Sequence, residues 1–363
     1  MADTVDSLDA YWTPIAEREG FDYARPVVTP YRAGEVPATA CAEDTEAAEW
    51  VDEAFYCFID NTLVYDADFL LSVFNGAGGD AAIGVLAHEW GHHLQSITSE
   101  PEYSLQVELQ ADCYAGTYLA NVSGDPAVMG LALEAMSSFV QAGNEEYEQS
   151  SWLAFQEHGS PELRWSALVV GALGIDDVTM CQDYATFEPQ PPIKLGGYTL
   201  AHPPGFRTTS TDAEATLTRD AVTIHVVPLN SPAGAAALDV GLGIWDSYFE
   251  GFTFAAEQPS PIIQPTPYGG EWASWPYEAR RGLTTIVGIL RIHTSPAGGG
   301  LLVDSSMEDP PVDVPLDEAE MRVLMGVVMP AHAIENFLCA PGQSSERGAD
   351  GYALSCAIEF PAP

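Results

Sequence analysis

The feature that most restricts the fold is a change of hydrophobic period across residues 187–197, FEPQPPIKLGG. Its prolines favour extended backbone and end whatever element precedes them. Upstream, apolar residues recur at helical spacing, and residues 81–97, 104–122, 126–142 and 161–173 each predict a helix. Pro101 precedes the second of these and Ser-Gly-Asp-Pro stops it. Residues 54–70, AFYCFIDNTLVYDADFL, predict a short hairpin with Asp60-Asn61 at the turn. Downstream the pattern alternates. Residues 220–229, 270–279, 283–294 and 300–306 predict strands, interrupted by helices over 232–250 and over 316–338, the latter kinked at Pro330. A chain of 363 residues suits two domains. The expected fold class is α+β: a mainly helical domain over 1–188, a linker at about 187–194, and an α+β domain with an antiparallel sheet over 195–363.

Composition narrows the partners. Hydrophobic residues make up 47% of the chain, enough for a real core in each half. Lys and Arg total 12 against 53 Asp and Glu, a formal net charge of -41, and Lys194 is the only lysine. Such a surface repels nucleic acid and anionic lipid, so neither is expected as a partner. The acidity either draws cationic substrates or serves solubility and tolerance of high salt. No apolar run reaches the roughly 18 residues of a membrane span. The N-terminus MADTVDSLDA lacks the basic start and apolar stretch of a signal peptide, which fits a leader already removed.

Six cysteines, an even number, suit an oxidising compartment and hence an extracytoplasmic location; the alternative is six reduced thiols in the cytosol. Six allow about fifteen pairings. Sequence order suggests Cys41–Cys57, Cys113–Cys181 and Cys339–Cys356.

Three of the eight histidines fall within AHEWGHHLQ at 87–95. The plain explanation is a His-rich polar helix face. The chemical one is a metal site. On a helix, His88 and His92 project from one face and can reach one zinc at about 2.1 Å. Glu89 flanks that face, where a carboxylate can take a proton from an attacking water without binding the metal. His93 points elsewhere, to a structural or solvent-facing place. A catalytic zinc needs a third protein ligand. ELQAD in the next helix places Glu108 and Asp112 four residues apart, and a short connection folds this helix back on the first. Glu108 then completes two histidines and one glutamate, and Asp112 accepts a hydrogen bond from the outer N–H of a ligating histidine. The alternative is a solvated acidic stripe. Cys113 lies roughly 140° around the helix from Glu108 and faces away from the metal. In EHGSPELRW at 157–165, His158 is a candidate donor to an oxyanion and Arg164 a brace through Asp112 or a backbone carbonyl; the alternative is a capping segment with an exposed histidine. His202, His225, His293 and His332 have no ligand spacing.

These segments together resemble a bacterial family of neutral zinc metallopeptidases, with HEWGHHLQ at 88–95, ELQADC at 108–113 and HGSPELR at 158–164. FYC at 55–57, LVYD at 63–66, YW at 11–12 and ACAED at 40–44 are also similar to the family pattern. The likeness covers roughly residues 8–186. It implies one zinc ion held by His88, His92 and Glu108, Glu89 as base, peptide or protein substrates, and the pairings Cys41–Cys57 and Cys113–Cys181. A broader similarity to gluzincin peptidases, whose E-x-x-x-D helix and following His-to-Arg segment match Glu108–Asp112 and His158–Arg164, implies His158 as a transition-state donor. The C-terminal half departs from the family; GYTLAHPPGF at 197–206 faintly resembles the opening of Mog1/PsbP-like domains. The expectation is an extracytoplasmic zinc endopeptidase, a hydrolase; the alternative is a secreted binding module whose zinc site is structural or latent.

Overall fold

The computed structural model describes residues 2–32, 34–42, 53–77, 79–98, 104–123, 164, 167–168, 170–171, 178–186, 193–195, 198–200, 206–219, 221–255, 260–265, 270–296, 298–309, 328–330, 343–347 and 354–358. The chain divides into two compact units: Met1–Pro189 with Ile334–Pro363, and Gln190–Ala333. Helices with a small mixed sheet, then antiparallel sheets, give the α+β class expected.

In the first unit, α1 (Ala2–Glu19) turns Val5, Leu8, Trp12, Ile15 and Ala16 inward, a stripe at spacings of three and four. The stripe meets α4 (Ser104–Ser123): Trp12 lies edge-on to Tyr114 at 5.8 Å, and the Tyr11 hydroxyl donates to the Thr117 carbonyl. β1 (Val27–Tyr31) runs parallel to β3 (Thr62–Asp66), and β2 (Ala54–Cys57) antiparallel to it. β3 is therefore central, with all five residues buried, and β2 is an edge. Asn61, at the expected turn, has a φ of 53°, a left-handed conformation that Asn tolerates. The hairpin stops at Asp66 and does not continue to Leu70. An Asp66 carboxylate oxygen accepts the backbone N–H groups of Asp68 and Phe69 and so starts α2 (Ala67–Ala77). The Cys41–Cys57 disulfide ties the turn Ala40–Ala42 to the end of β2.

α3 (Gly79–Thr98) packs antiparallel to α4. A Cβ on Gly91 would stand 2.7 Å from the Ala111 carbonyl oxygen, so glycine sets how closely these helices approach. Residues 164, 167–168 and 170–171 are helical, as the spacing over 161–173 predicts. This segment presses on α4 too: a Cβ on Gly171 would lie 1.8 Å from the Cys113 carbonyl oxygen. The Cys113–Cys181 disulfide joins α4 to α5 (Thr179–Gln182), and Gln110 donates to the Cys181 carbonyl. Both disulfides suit an oxidising compartment. The helix predicted over 126–142 and the pair Cys339–Cys356 lie outside the described residues. Among the described residues, no helix is long and apolar enough to cross a membrane.

The second unit contains β4 (Ile193–Leu195), β5 (Tyr198–Leu200), β6 (Arg207–Ser210), β7 (Ala215–Arg219), β8 (Val222–Leu229), α6 (Ala237–Tyr248), β9 (Thr253–Phe254), β10 (Ile262–Pro265), β11 (Glu271–Arg281), β12 (Thr284–Thr294), β13 (Gly300–Glu308) and β14 (Val328–Pro330). The main sheet is antiparallel in the order β10-β11-β12-β13-β8-β7-β6, with β9 pairing β11. Successive residues alternate between its faces. Trp275 and Tyr277 on β11 and Ile286, Leu290 and Ile292 on β12 meet Trp245 of α6 and Phe249 just past its end. The helix predicted over 316–338 does not run through Pro330. Residues 328–330 are instead an edge strand on β5, where the missing proline N–H leaves no central ladder bond unmade.

Candidate metal centre

The two antiparallel helices α3 and α4 bring together five side chains that the sequence marks: His88, Glu89 and His92 from α3, Glu108 and Asp112 from α4. Helical spacing places each set on one face, and the Gly91–Ala111 contact brings the faces into hydrogen-bond range. Arg164 enters from the third helical segment. His88, Glu89, Asp112 and Arg164 are all buried.

The outer nitrogens fix the inner ones. His88 Nδ1 lies 2.8 Å from an Asp112 carboxylate oxygen, which can only accept, so Nδ1 carries the proton and Nε2 the lone pair. Gln95 does the same for His92. Its amide nitrogen donates to the Val107 carbonyl, which turns its oxygen toward His92 Nδ1 at 2.8 Å. Both Nε2 atoms therefore point lone pairs at one place. They stand 3.1 Å apart; His88 Nε2 is 3.3 Å and His92 Nε2 3.7 Å from the two Glu108 carboxylate oxygens.

Bonds of about 2.05 Å to a tetrahedral zinc set ligand-to-ligand edges of about 3.3 Å. The His88–His92 and His88–Glu108 separations are close to that value, and His92 faces the other Glu108 oxygen at a longer 3.7 Å. Two lone pairs and a carboxylate at such distances repel one another unless a cation lies between them, so these residues fit a zinc ion. His88, Glu89 and His92 also form a compact group, with ligand atoms within 4.8 Å of one another.

The charges behave accordingly. Burial opposes protonation of His88, but the Asp112 and Glu108 carboxylates outweigh it and push the imidazole up to about 10. The carboxylates call for positive charge at His88 Nε2, where a proton and a metal ion would compete for the same lone pair. Burial lowers His92, and the charge on His88 adds to this. Burial alone would raise Glu108, yet His88, His92 and Arg164 hold it well below the usual carboxylate range. Asp112 is also held low despite burial, by Arg164 and His88. Arg164 Nε donates to Asp112 at 2.7 Å and Nη2 at 2.9 Å, the two-pronged pairing of a guanidinium and a carboxylate. Glu89 moves the other way. Burial raises it to about 8, with Glu108 adding to the rise while His88, the Tyr56 backbone N–H and Arg164 pull against it.

His93 turns away, as expected, and is buried: its ring packs against Tyr23, Tyr56 and Trp90. Cys113 is engaged in its disulfide with Cys181. His158 lies outside the described residues. Gln95 was not singled out by the sequence, although it stands in the same motif. Its role depends on the Val107 carbonyl of the facing helix, a contact that no local pattern carries.

Residues 1–152 match the family described as "Putative neutral zinc metallopeptidase". The first unit is thus similar to zinc peptidases at family level. Curated relatives include an uncharacterized protein of Mycobacterium tuberculosis, 33% identical over 130 residues that cover 32% of this chain and 41% of the relative. Another is the uncharacterized protein YpfJ of Escherichia coli K12, 30% identical over 160 residues, 39% of this chain and 54% of the relative. The chain spans about half the length of these relatives. Among solved structures, a mutant of the protein Mog1 aligns at 13% identity with a TM-score of 0.26, over 42% of this chain and 92% of that one.

Proposed function

We propose that the first unit is a zinc-dependent endopeptidase of an extracytoplasmic compartment, with His88, His92 and Glu108 as metal ligands and Glu89 as general base. One observation carries this reading: both Nδ1 atoms are committed outward, so the two Nε2 atoms and the Glu108 carboxylate face one another at 3.1–3.7 Å. The two glutamates divide by their proton affinity. Glu108, held ionised by its cationic neighbours, suits a metal ligand. Glu89, poised at about 8, suits a group that accepts a proton and gives it back near neutral pH.

Zinc, when bound, supplies Lewis-acid polarisation of a peptide carbonyl and makes water more acidic. The protein residues do the rest. Asp112 and Gln95 hold the two imidazoles in the tautomer that presents Nε2. Arg164 balances the charge of Asp112. Glu89 takes a proton from the attacking water as its oxygen bonds to the peptide carbon. It then passes that proton to the amine nitrogen as the C–N bond breaks. His158 is proposed as a donor to the oxyanion formed between these steps.

The test is cleavage of a mixed peptide library, read by mass spectrometry, by wild type and Glu89→Gln, with zinc quantified in both. The expected result is a loss of turnover of about 10²-fold or more in the variant with zinc retained. Equal cleavage by both would overturn the mechanism. No cleavage by either, with zinc bound, would favour a structural metal site.

A further inference from the structure

Arg291 is a buried cation for which the described structure provides no counter-charge. It sits on β12, on the sheet face opposite α6, and keeps 8% of its surface exposed. Its Nη1 is sealed from solvent and makes no hydrogen bond. Among the described residues, no carboxylate stands within ion-pair distance of it. Burial alone lowers its proton affinity, to about 10, with no acidic neighbour to raise it. The main chain of β12 is paired on both sides, by β11 and β13, so the sheet carbonyls are already engaged. This is unexpected in a chain with 53 acidic side chains and 12 basic ones. The buried Arg164 of the first unit has two hydrogen bonds to Asp112.

Two hydroxyls share the face. Ser274 stands directly across from Arg291 on β11. Val303 stands across from it on β13, which puts Ser305 on the diagonal. Such positions lie about 5 Å and about 7–8 Å away between neighbouring strands, within reach of an arginine side chain. Ser305 is fully buried, and its Oγ also has no hydrogen-bond partner. A charge and a hydroxyl without partners, buried on the same sheet face, each raise the free energy of the fold. A single acceptor with negative charge would satisfy both.

We infer that this face of the second unit binds an oxyanion, a carboxylate or phosphate group, between the Arg291 guanidinium and the hydroxyls of Ser274 and Ser305. The guanidinium supplies paired donors and the charge, and the serines supply the remaining donors.

The test uses the full chain, wild type and Arg291→Met, a neutral replacement of similar length. Thermal unfolding of the second unit is followed with added inorganic phosphate or N-acetylglycine, at ionic strength held constant with chloride, and affinity is read by calorimetry. The proposal expects wild type to be stabilised by at least one of the two anions. Arg291→Met should be more stable than wild type without anion and should bind it at least about tenfold more weakly, the loss of one charged hydrogen bond. Ser305→Ala should keep the fold and weaken the anion response. A response to phosphate alone assigns a phosphoester ligand; a response to N-acetylglycine alone assigns a carboxylate such as a peptide C-terminus. A destabilised or unfolded Arg291→Met would overturn the proposal, because it would mean that the chain's own carboxylate pairs with Arg291. An anion response that is absent in wild type, or unchanged in either variant, would also overturn it.

Discussion

The two units bury polar groups in opposite ways. In the first, His88, Glu89, Glu108, Asp112 and Arg164 converge from three helical segments on one small volume. In the second, the polar groups are spread over both faces of a sheet. Asp304 accepts the Tyr248 and Tyr277 hydroxyls on the α6 side, and Arg291 lies on the other. Each Asp304 carboxylate oxygen accepts one tyrosine hydroxyl, which ties the sheet to α6. Burial of charge is costly in either unit. The arrangement in the first makes sense when the converging atoms serve a common ion. The difference shows two separate signatures: ligand atoms that converge on one point in the first unit, and a buried charge left without a partner in the second.

The comparison can be broken most forcefully at Asp112. Asp112→Ala removes the partner of both His88 and Arg164. It should destabilise the first unit by about 3 kcal/mol or more in denaturant titration and weaken zinc binding by about 10- to 100-fold. Loss of stability with unchanged zinc affinity would show that the network is structural only.

A second break is pH. Burial lowers the His93 imidazole from 6.5 to about 4, so the folded protein holds it neutral. Between those values the unfolded chain takes up a proton and the folded one does not. The contribution of His93 is thus complete above about pH 6.5 and is lost as the pH falls toward 4, by roughly 3 kcal/mol. His93→Phe should flatten the pH profile of unfolding over that window. An unchanged profile would place the titration elsewhere.

The smallest effect sharpens the contrast. Gly91→Ala and Gly241→Ala each put a methyl where none fits, the first against the Ala111 backbone and the second 2.1 Å from the Trp275 ring. Each should cost about 1–3 kcal/mol. Only Gly91→Ala should also weaken zinc binding, because only that methyl forces apart the helices bearing the ligands.

Much of this was legible in the sequence for one physical reason: helix periodicity converts spacing into geometry. His88 and His92, or Glu108 and Asp112, share a face wherever their helix lies. The strands over 220–229, 283–294 and 300–306 were equally readable from alternation. What stayed hidden was non-local. β1 pairs parallel with β3, and neither strand announces it. α1 carries its apolar stripe through Pro14, a residue that usually argues against a helix interior. Val328–Pro330 followed an apolar helical pattern, yet pairs with Tyr198–Leu200, more than a hundred residues earlier. Gln95 belongs to the same class, since the Val107 carbonyl decides which way its amide turns.

The most direct test of the central claim is X-ray absorption at the zinc edge on the full chain, with metal content measured in wild type and Glu108→Ala. The account predicts one zinc per chain in wild type, surrounded by two imidazole nitrogens and oxygen ligands with no sulfur, and metal content sharply reduced in Glu108→Ala. A wild-type chain that binds no zinc, or a zinc shell unaltered by the loss of Glu108, would contradict it.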